Sequence, residues 1–99
     1  MSSDARAVGV VKEVYPGERR VALSPEAAKK FVTGGAKVLL ERGAGVAASF
    51  QDEAYAAGGV ELVDRATVLA RADVLLTVRP PEVAEIAKLR RGATVVFSW

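Results

Sequence analysis

Five short apolar runs, separated by stretches that carry helix-start and helix-stop residues, constrain this chain more than any other feature. Residues 7–11, 36–41 (AKVLLE), 60–63, 73–78 (DVLLTV) and 93–98 read as strands. Between the first two, Ser24 is placed to cap a helix with Pro25 at its first position and Glu26 on its positive end, and Gly34 and Gly35 stop it. Asp52 can cap a short second helix that ends at Gly58 and Gly59, and Asp64 a third that runs through Arg71. Pro80 and Pro81 break the chain before a fourth helix over residues 82–90, and Gly92 ends it.

Strands that alternate with helices throughout, and that are apolar on both faces, imply a mostly parallel sheet covered on each side and joined by right-handed crossovers. The expected fold class is therefore α/β, a flavodoxin-like or Rossmann-like three-layer fold with a mostly parallel five-stranded sheet. Ligands of such sheets collect at the carboxyl ends of the strands, near the point where strand order reverses. That directs attention to residues 12–23, 42–50, Asp64, residues 79–81, and whatever should follow Trp99. A chain of 99 residues supports one domain. It stops on strand residues, VVFSW, and we expect Trp99 to be a truncation point in the first part of a longer subunit.

Composition narrows the chemistry. The formal net charge is +2, with 14 basic and 12 acidic residues intermixed, so no basic face for nucleic acid is expected. The chain has no cysteine and no histidine, which removes disulfides, thiolate and imidazole metal sites and the usual general base. No metal site is expected. No apolar run is long enough to span a membrane and no signal peptide is recognisable, so the chain reads as soluble and intracellular, without direct membrane insertion.

Residues 8–25, VGVVKEVYPGERRVALSP, carry the densest charge. An apolar strand runs into Lys12, Glu13, Glu18, Arg19 and Arg20 before the helix start, and adjacent arginines at the end of a buried strand suggest an anion site. Arg20, Arg79 and Lys12 are the candidate substrate- or anion-binding residues. The bland alternatives are surface pairing of Arg19 and Arg20 with Glu13 and Glu18, a solvated strand end at Lys12, and a rigid turn at Arg79. Tyr15 and Tyr55 read as packing residues, and Asp52, Asp64 and Asp73 as helix caps or strand ends. No catalytic residue is assigned. Gly43-x-Gly45 followed by Ala48 formally satisfies a dinucleotide fingerprint, with Glu61 and Asp64 downstream. Charged Glu41 and Arg42 separate the strand from the first glycine, so Gly43 and Gly45 read as a decoy: a tight turn that needs positive φ or close packing.

Residues 8–25 closely resemble the N-terminal signature shared by alanine dehydrogenases and the alpha subunit of proton-translocating NAD(P) transhydrogenase, Gly-Ile-Pro-Lys-Glu leading to Glu-x-Arg-Val-Ala-Leu-Thr-Pro. Residues 35–45 (GAKVLLERGAG), 50–59 (FQDEAYAAGG) and 72–81 (ADVLLTVRPP) resemble later segments of the same family, in order, so that the likeness covers essentially the whole chain. The resemblance implies the first part of the N-terminal domain of a two-domain oxidoreductase subunit, whose NAD-binding domain lies outside residues 1–99. It implies NAD as the cofactor of the parent, bound mostly outside this chain, and a homodimeric parent. On the transhydrogenase side it further implies membrane and NADP-binding partner subunits and a cytoplasmic location peripheral to the inner membrane. In alanine dehydrogenases the position matched by Arg20 binds the carboxylate of pyruvate or alanine, and the position matched by Arg79 is a catalytic lysine. Arginine does not lose a proton near neutral pH, so the Arg-Pro-Pro turn suits the transhydrogenase alpha subunit better than the dehydrogenase. The fragment alone is expected to be inactive. A non-enzymatic module that binds an anion or a subunit is the remaining alternative.

Overall fold

A computed structural model describes residues 6–79, 81 and 83–97. The elements alternate as expected: β1 (Ala7–Val10), α1 (Pro25–Thr33), β2 (Lys37–Glu41), α2 (Asp52–Ala57), β3 (Glu61–Val63), α3 (Arg65–Arg71), β4 (Val74–Thr77), α4 (Val83–Ile86) and β5 (Thr94–Phe97). All four strand pairings are parallel, and the order is β3-β2-β1-β4-β5. That order is the doubly wound Rossmann type, with β1 at the centre, and not the 2-1-3-4-5 order of flavodoxins. Position 98, the end of the fifth apolar run, and position 99 lie outside the described residues.

The sheet separates two apolar clusters. Val10, Val38 and Leu40 face α1 and α2, where they pack with Ala28, Tyr55 and Val60. Ala7, Val11, Leu39 and Leu75 face the other side and meet Val68 and Leu69 of α3. Period-2 alternation along each strand therefore feeds both layers at once, which is why these runs are apolar at consecutive positions. The helix starts follow local chemistry. The Ala27 amide donates to Ser24 Oγ at 3.2 Å, and the Thr67 amide to Asp64 Oδ1 at 2.8 Å. Asp73 fastens the amino ends of the strands, since its carboxylate accepts from the Ala7 amide at 2.7 Å and from Arg90 at 2.6 Å.

Two elements differ from the sequence expectation. Asp52 is the first residue of α2 and not its cap; its Oδ1 accepts from the Gly43 amide at 2.9 Å, while Gln51 stands at the cap without a side-chain bond. A 3-10 turn, Val46–Ala48, fills part of the glycine-containing loop. Of the expected fourth helix, residues 82–90, position 82 lies outside the described residues, and Val83–Ile86 is helical. Beyond it the amides of Lys88 and Leu89 reach carbonyls three residues back, and the Arg90 amide bonds the Leu69 carbonyl at 3.2 Å. A tertiary hydrogen bond thus ends the helix before local propensity would.

Gly9 sets how closely α3 lies on the sheet. A Cβ there would stand 2.6 Å from Ala72 Cβ and 2.7 Å from Val68 Cγ1. Gly9→Ala is expected to destabilise the chain by roughly 1–3 kcal/mol through overpacking, seen as a lower urea midpoint at unchanged slope. Tyr55 is fully buried, and its hydroxyl donates to the Leu23 carbonyl at 2.8 Å. Burial first, and the Asp52 carboxylate second, push its phenol from 10.0 up to about 12. Tyr55→Phe should cost about 1–2 kcal/mol near neutral pH. Because the folded-state value is raised, the wild-type advantage is full below pH 10.0 and is lost as pH rises through about 12. Urea midpoints of the two proteins should therefore converge in alkali.

Candidate functional site

Strand order reverses at β1: the chain leaves it toward β2 on one side, and β4 lies on the other. Between the carboxyl ends of β1 and β4 lies a cleft of about 250 Å³, walled by residues 11–16 and by Arg65, Thr77, Arg79, Pro81 and Glu85. This is the crevice that the topology requires.

The long loop after β1 is shaped by its own residues and then tied to β4. Pro16 and Gly17 form the centre of a turn closed by the Glu18 amide donating to the Tyr15 carbonyl at 3.0 Å, with Gly17 at φ +84. Proline fixes the first central dihedral and glycine accepts the positive φ of the second. Glu13 then reaches across, accepting from the amides of Val78 at 2.9 Å and Arg79 at 3.3 Å. A carboxylate thereby satisfies two backbone donors where β4 ends, with no ligand required.

Glu18 is the centre of the charge cluster. Its side chain is only 4% exposed, whereas those of Arg20 and Arg79 are 57% and 37% exposed. Arg20 grips it with Nε at 2.8 Å and Nη2 at 2.9 Å, and Arg79 Nε adds a bond at 2.9 Å. The Arg79 guanidinium also lies 3.8 Å from the centre of the Tyr15 ring, a cation–π contact. The Arg20 side chain, the Arg20 amide and then Arg79 hold the Glu18 carboxyl far below its ordinary 4.5, against the opposing effect of desolvation.

On the other wall, Arg65 donates to Glu85 at 2.5 Å, to Glu41 at 2.9 Å and to the Lys12 carbonyl at 3.0 Å. The Lys12 amide donates to Glu41 at 2.8 Å, while its ammonium is exposed and makes no ion pair among the described residues. Thr77 is buried, and its hydroxyl has no hydrogen-bond partner among the described residues although it borders the cleft.

Of the candidate residues, Lys12 and Arg79 border the cleft, and Arg20 stands outside its lining, joined to Arg79 through Glu18. Gly43 and Gly45 lie in the loop after β2 and are not among the residues that line the cleft. Gly43 has φ +80, and a Cβ on Gly45 would stand 2.7 Å from the Tyr55 ring. The space beside Gly45 is filled by Tyr55 and Phe50, whereas a Cβ on Gly43 would meet open space. Sequence reasoning missed Glu18 as the shared partner, Glu13 as the clamp on β4, and Arg65 and Thr77 altogether. The Pro16-Gly17 turn was the signal available for the first, because it brings Tyr15 and Glu18 together. Among the described residues, no group of acidic side chains could hold a metal ion, and no helix is long and apolar enough to cross a membrane.

Comparison with known proteins gives a consistent picture. A family model described as alanine dehydrogenase/PNT, N-terminal domain, matches residues 9–99. The chain is 45% identical over 94 residues to the NAD(P) transhydrogenase subunit alpha of Cereibacter sphaeroides, covering 93% of this chain and 18% of that protein. It is 34% identical over 92 residues to the alanine dehydrogenase of Bacillus subtilis, covering 93% of this chain and 24% of that protein. The crystal structure of transhydrogenase from Sinorhizobium meliloti superimposes with a TM-score of 0.88 at 38% identity, over 93% of this chain and 27% of that one. The chain spans about a quarter or less of the curated relatives it matches.

The depressed Glu18 carboxyl has a signed consequence. Its stabilising effect is complete above its ordinary 4.5 and is lost as pH falls from there toward the folded-state value. Glu18→Gln should therefore be less stable than wild type at neutral pH, and the gap between urea midpoints should narrow steadily below pH 4.5. A gap independent of pH would contradict the ion-pair assignment.

Proposed function

The chain belongs to the alanine dehydrogenase/PNT N-terminal domain family, and on that premise we propose that it is the N-terminal part of the NAD(H)-binding alpha subunit of a proton-translocating NAD(P) transhydrogenase. The parent would pass hydride between NAD(H) and NADP(H), coupled to proton movement through membrane and NADP-binding partner subunits. It would act as a homodimer on the cytoplasmic side of the inner membrane. Hydride chemistry belongs to the nicotinamide cofactor, which the parent would hold mainly with residues outside this chain.

The observation that carries this reading is the state of Arg79. Its guanidinium is engaged by Glu18 and stacked on Tyr15, at the position where the family resemblance gives the dehydrogenases a lysine. A group so held can fix the wall of a cleft but cannot exchange a proton with a substrate, which the family resemblance would ask of a dehydrogenase lysine at this position. The 45% identity to the transhydrogenase subunit of Cereibacter sphaeroides supports the same reading. In this reading Glu13, Glu18, Arg20 and Arg79 keep the β1 and β4 loops in fixed relation, so that the cleft offers a constant surface to the rest of the parent. An alanine dehydrogenase-like parent is the second reading, favoured by the 34% identity to the Bacillus subtilis enzyme.

The test is an assay of the complete parent with its partner subunits in membranes. Reduction of NAD⁺ by NADPH that responds to a proton gradient is expected, without alanine-dependent formation of NADH. Alanine-dependent NADH formation as the main activity would overturn the proposal. In the same assay Arg20→Ala should lower activity on the order of tenfold, and Arg19→Ala by less than about twofold. Equal losses would remove the role assigned to Arg20.

A further inference from the structure

Between β4 and β5, Pro81 and Glu85 border the cleft, yet the short helix that carries Glu85 does not pack into the core. The first three helices each bury at least one side chain: Ala28 in α1, Tyr55 in α2, Val68 and Leu69 in α3. α4 buries none. Val83 is 83% and Ile86 48% exposed, and Ala84, Ala87 and Lys88 are exposed as well, which leaves Glu85 as the one part-buried residue of 83–88. A helix of four residues has no stability of its own in water. Charge holds it in place. Glu85 Oε1 accepts from Arg65 Nε at 2.5 Å, and the same guanidinium is fastened to β2 through Glu41 and to the loop after β1 through the Lys12 carbonyl. Lys88 also pairs with Glu85, at 3.7 Å, but from within the same segment, so it adds no tie to the body.

The two flanks are anchored differently. On one side the amides of Val78 and Arg79 donate to Glu13, and Arg79 Nε donates to Glu18. On the other, Leu89 packs against the cluster beneath α3, the Arg90 amide donates to the Leu69 carbonyl, and the Arg90 guanidinium donates to Asp73. We propose that residues 83–88 form a strap, pinned at both ends and tied at its middle through the Arg65–Glu85 pair, that swings off the cleft when this pair parts while the sheet stays folded. Thr77 biases the strap toward opening. It shares the α3 side of β4 with Leu75, borders the same cleft as Glu85, and has a buried hydroxyl with no partner among the described residues. Such a hydroxyl is costly where water cannot reach it, and opening hydrates it. The inference concerns a local opening of this chain and stands apart from which reaction the parent performs.

Amide hydrogen exchange of the full chain, followed by NMR under conditions where the rate reports the opening equilibrium, tests this. The reporters are the amides of Ala87 and Lys88, which bond the Val83 and Glu85 carbonyls; the references are the amides of Val78 and Arg90 at the pinned ends. Glu85→Gln keeps helix propensity and removes the charge. It should speed the reporters at least about threefold and leave the references within about twofold of wild type. Arg65→Gln should do the same to the reporters, and the two substitutions together should do little more than either alone. Thr77→Val, which removes the hydroxyl at nearly constant shape, should slow the reporters by about threefold. Reporters that do not respond to Glu85→Gln, or that speed up together with the references, would overturn the proposal. So would full additivity of the Arg65 and Glu85 substitutions, or a Thr77→Val chain whose reporters are not slowed.

Discussion

The placement of β1 between β2 and β4 is the constraint on which the rest depends. Its four residues are buried, and its backbone is paired in parallel on both sides. A strand so placed has no edge to leave exposed, and burying its valines contributes about 1.5–3 kcal/mol each. Parallel pairing forces each connection to cross a face of the sheet, and the reversal of order at β1 sends the two sets of crossovers to opposite faces. The cleft is the space that divergence leaves, and Gly9 allows α3 to close the sheet beneath it.

Electrostatics then finish what topology begins. Around the cleft the carboxylates lie inward and the cations outward: Glu18 beneath Arg20 and Arg79, Glu41 and Glu85 against Arg65, and Glu13 on backbone amides. Burying a carboxylate is costly unless donors surround it, and each of these has its donors in place. The cluster is close to neutral as a whole, with Lys12 as its unpaired cation among the described residues. Glu13, Glu18 and Arg65 each bond a partner from another segment, which ties the walls of this cleft together.

Local chemistry was legible in the sequence and long-range chemistry was not. Ser24 and Asp64 cap their helices because the donors they need are three residues away. The strands announced themselves because both faces are buried, and the charges of residues 8–25 marked a loop that borders the cleft. The end of α4 was missed because it depends on Leu69 of α3, and the partner of Asp52 because it is Gly43 on the preceding turn. Within the site, Arg20 and Arg79 were visible as cations, but that one glutamate serves both depends on a contact spanning 61 residues. The two readings of Arg20, ligand binder or neighbour's partner, differ only in that geometry.

Asp73 gives the sheet a mechanical character. It pins the amino end of β1 through the Ala7 amide, while its own carbonyl accepts from Thr94 at the start of β5 at 2.9 Å. The cleft lies at the other end of the same strands, so Asp73 serves as a fulcrum and Glu13 as the latch on the far end of the lever. The lever arm is a strand of about 13 Å. A rotation of about 5° around the fulcrum would move the latch by about 1 Å, enough to break hydrogen bonds of ordinary length. Asp73 and Glu13 together oppose such a rotation, one at each end of β1 and β4.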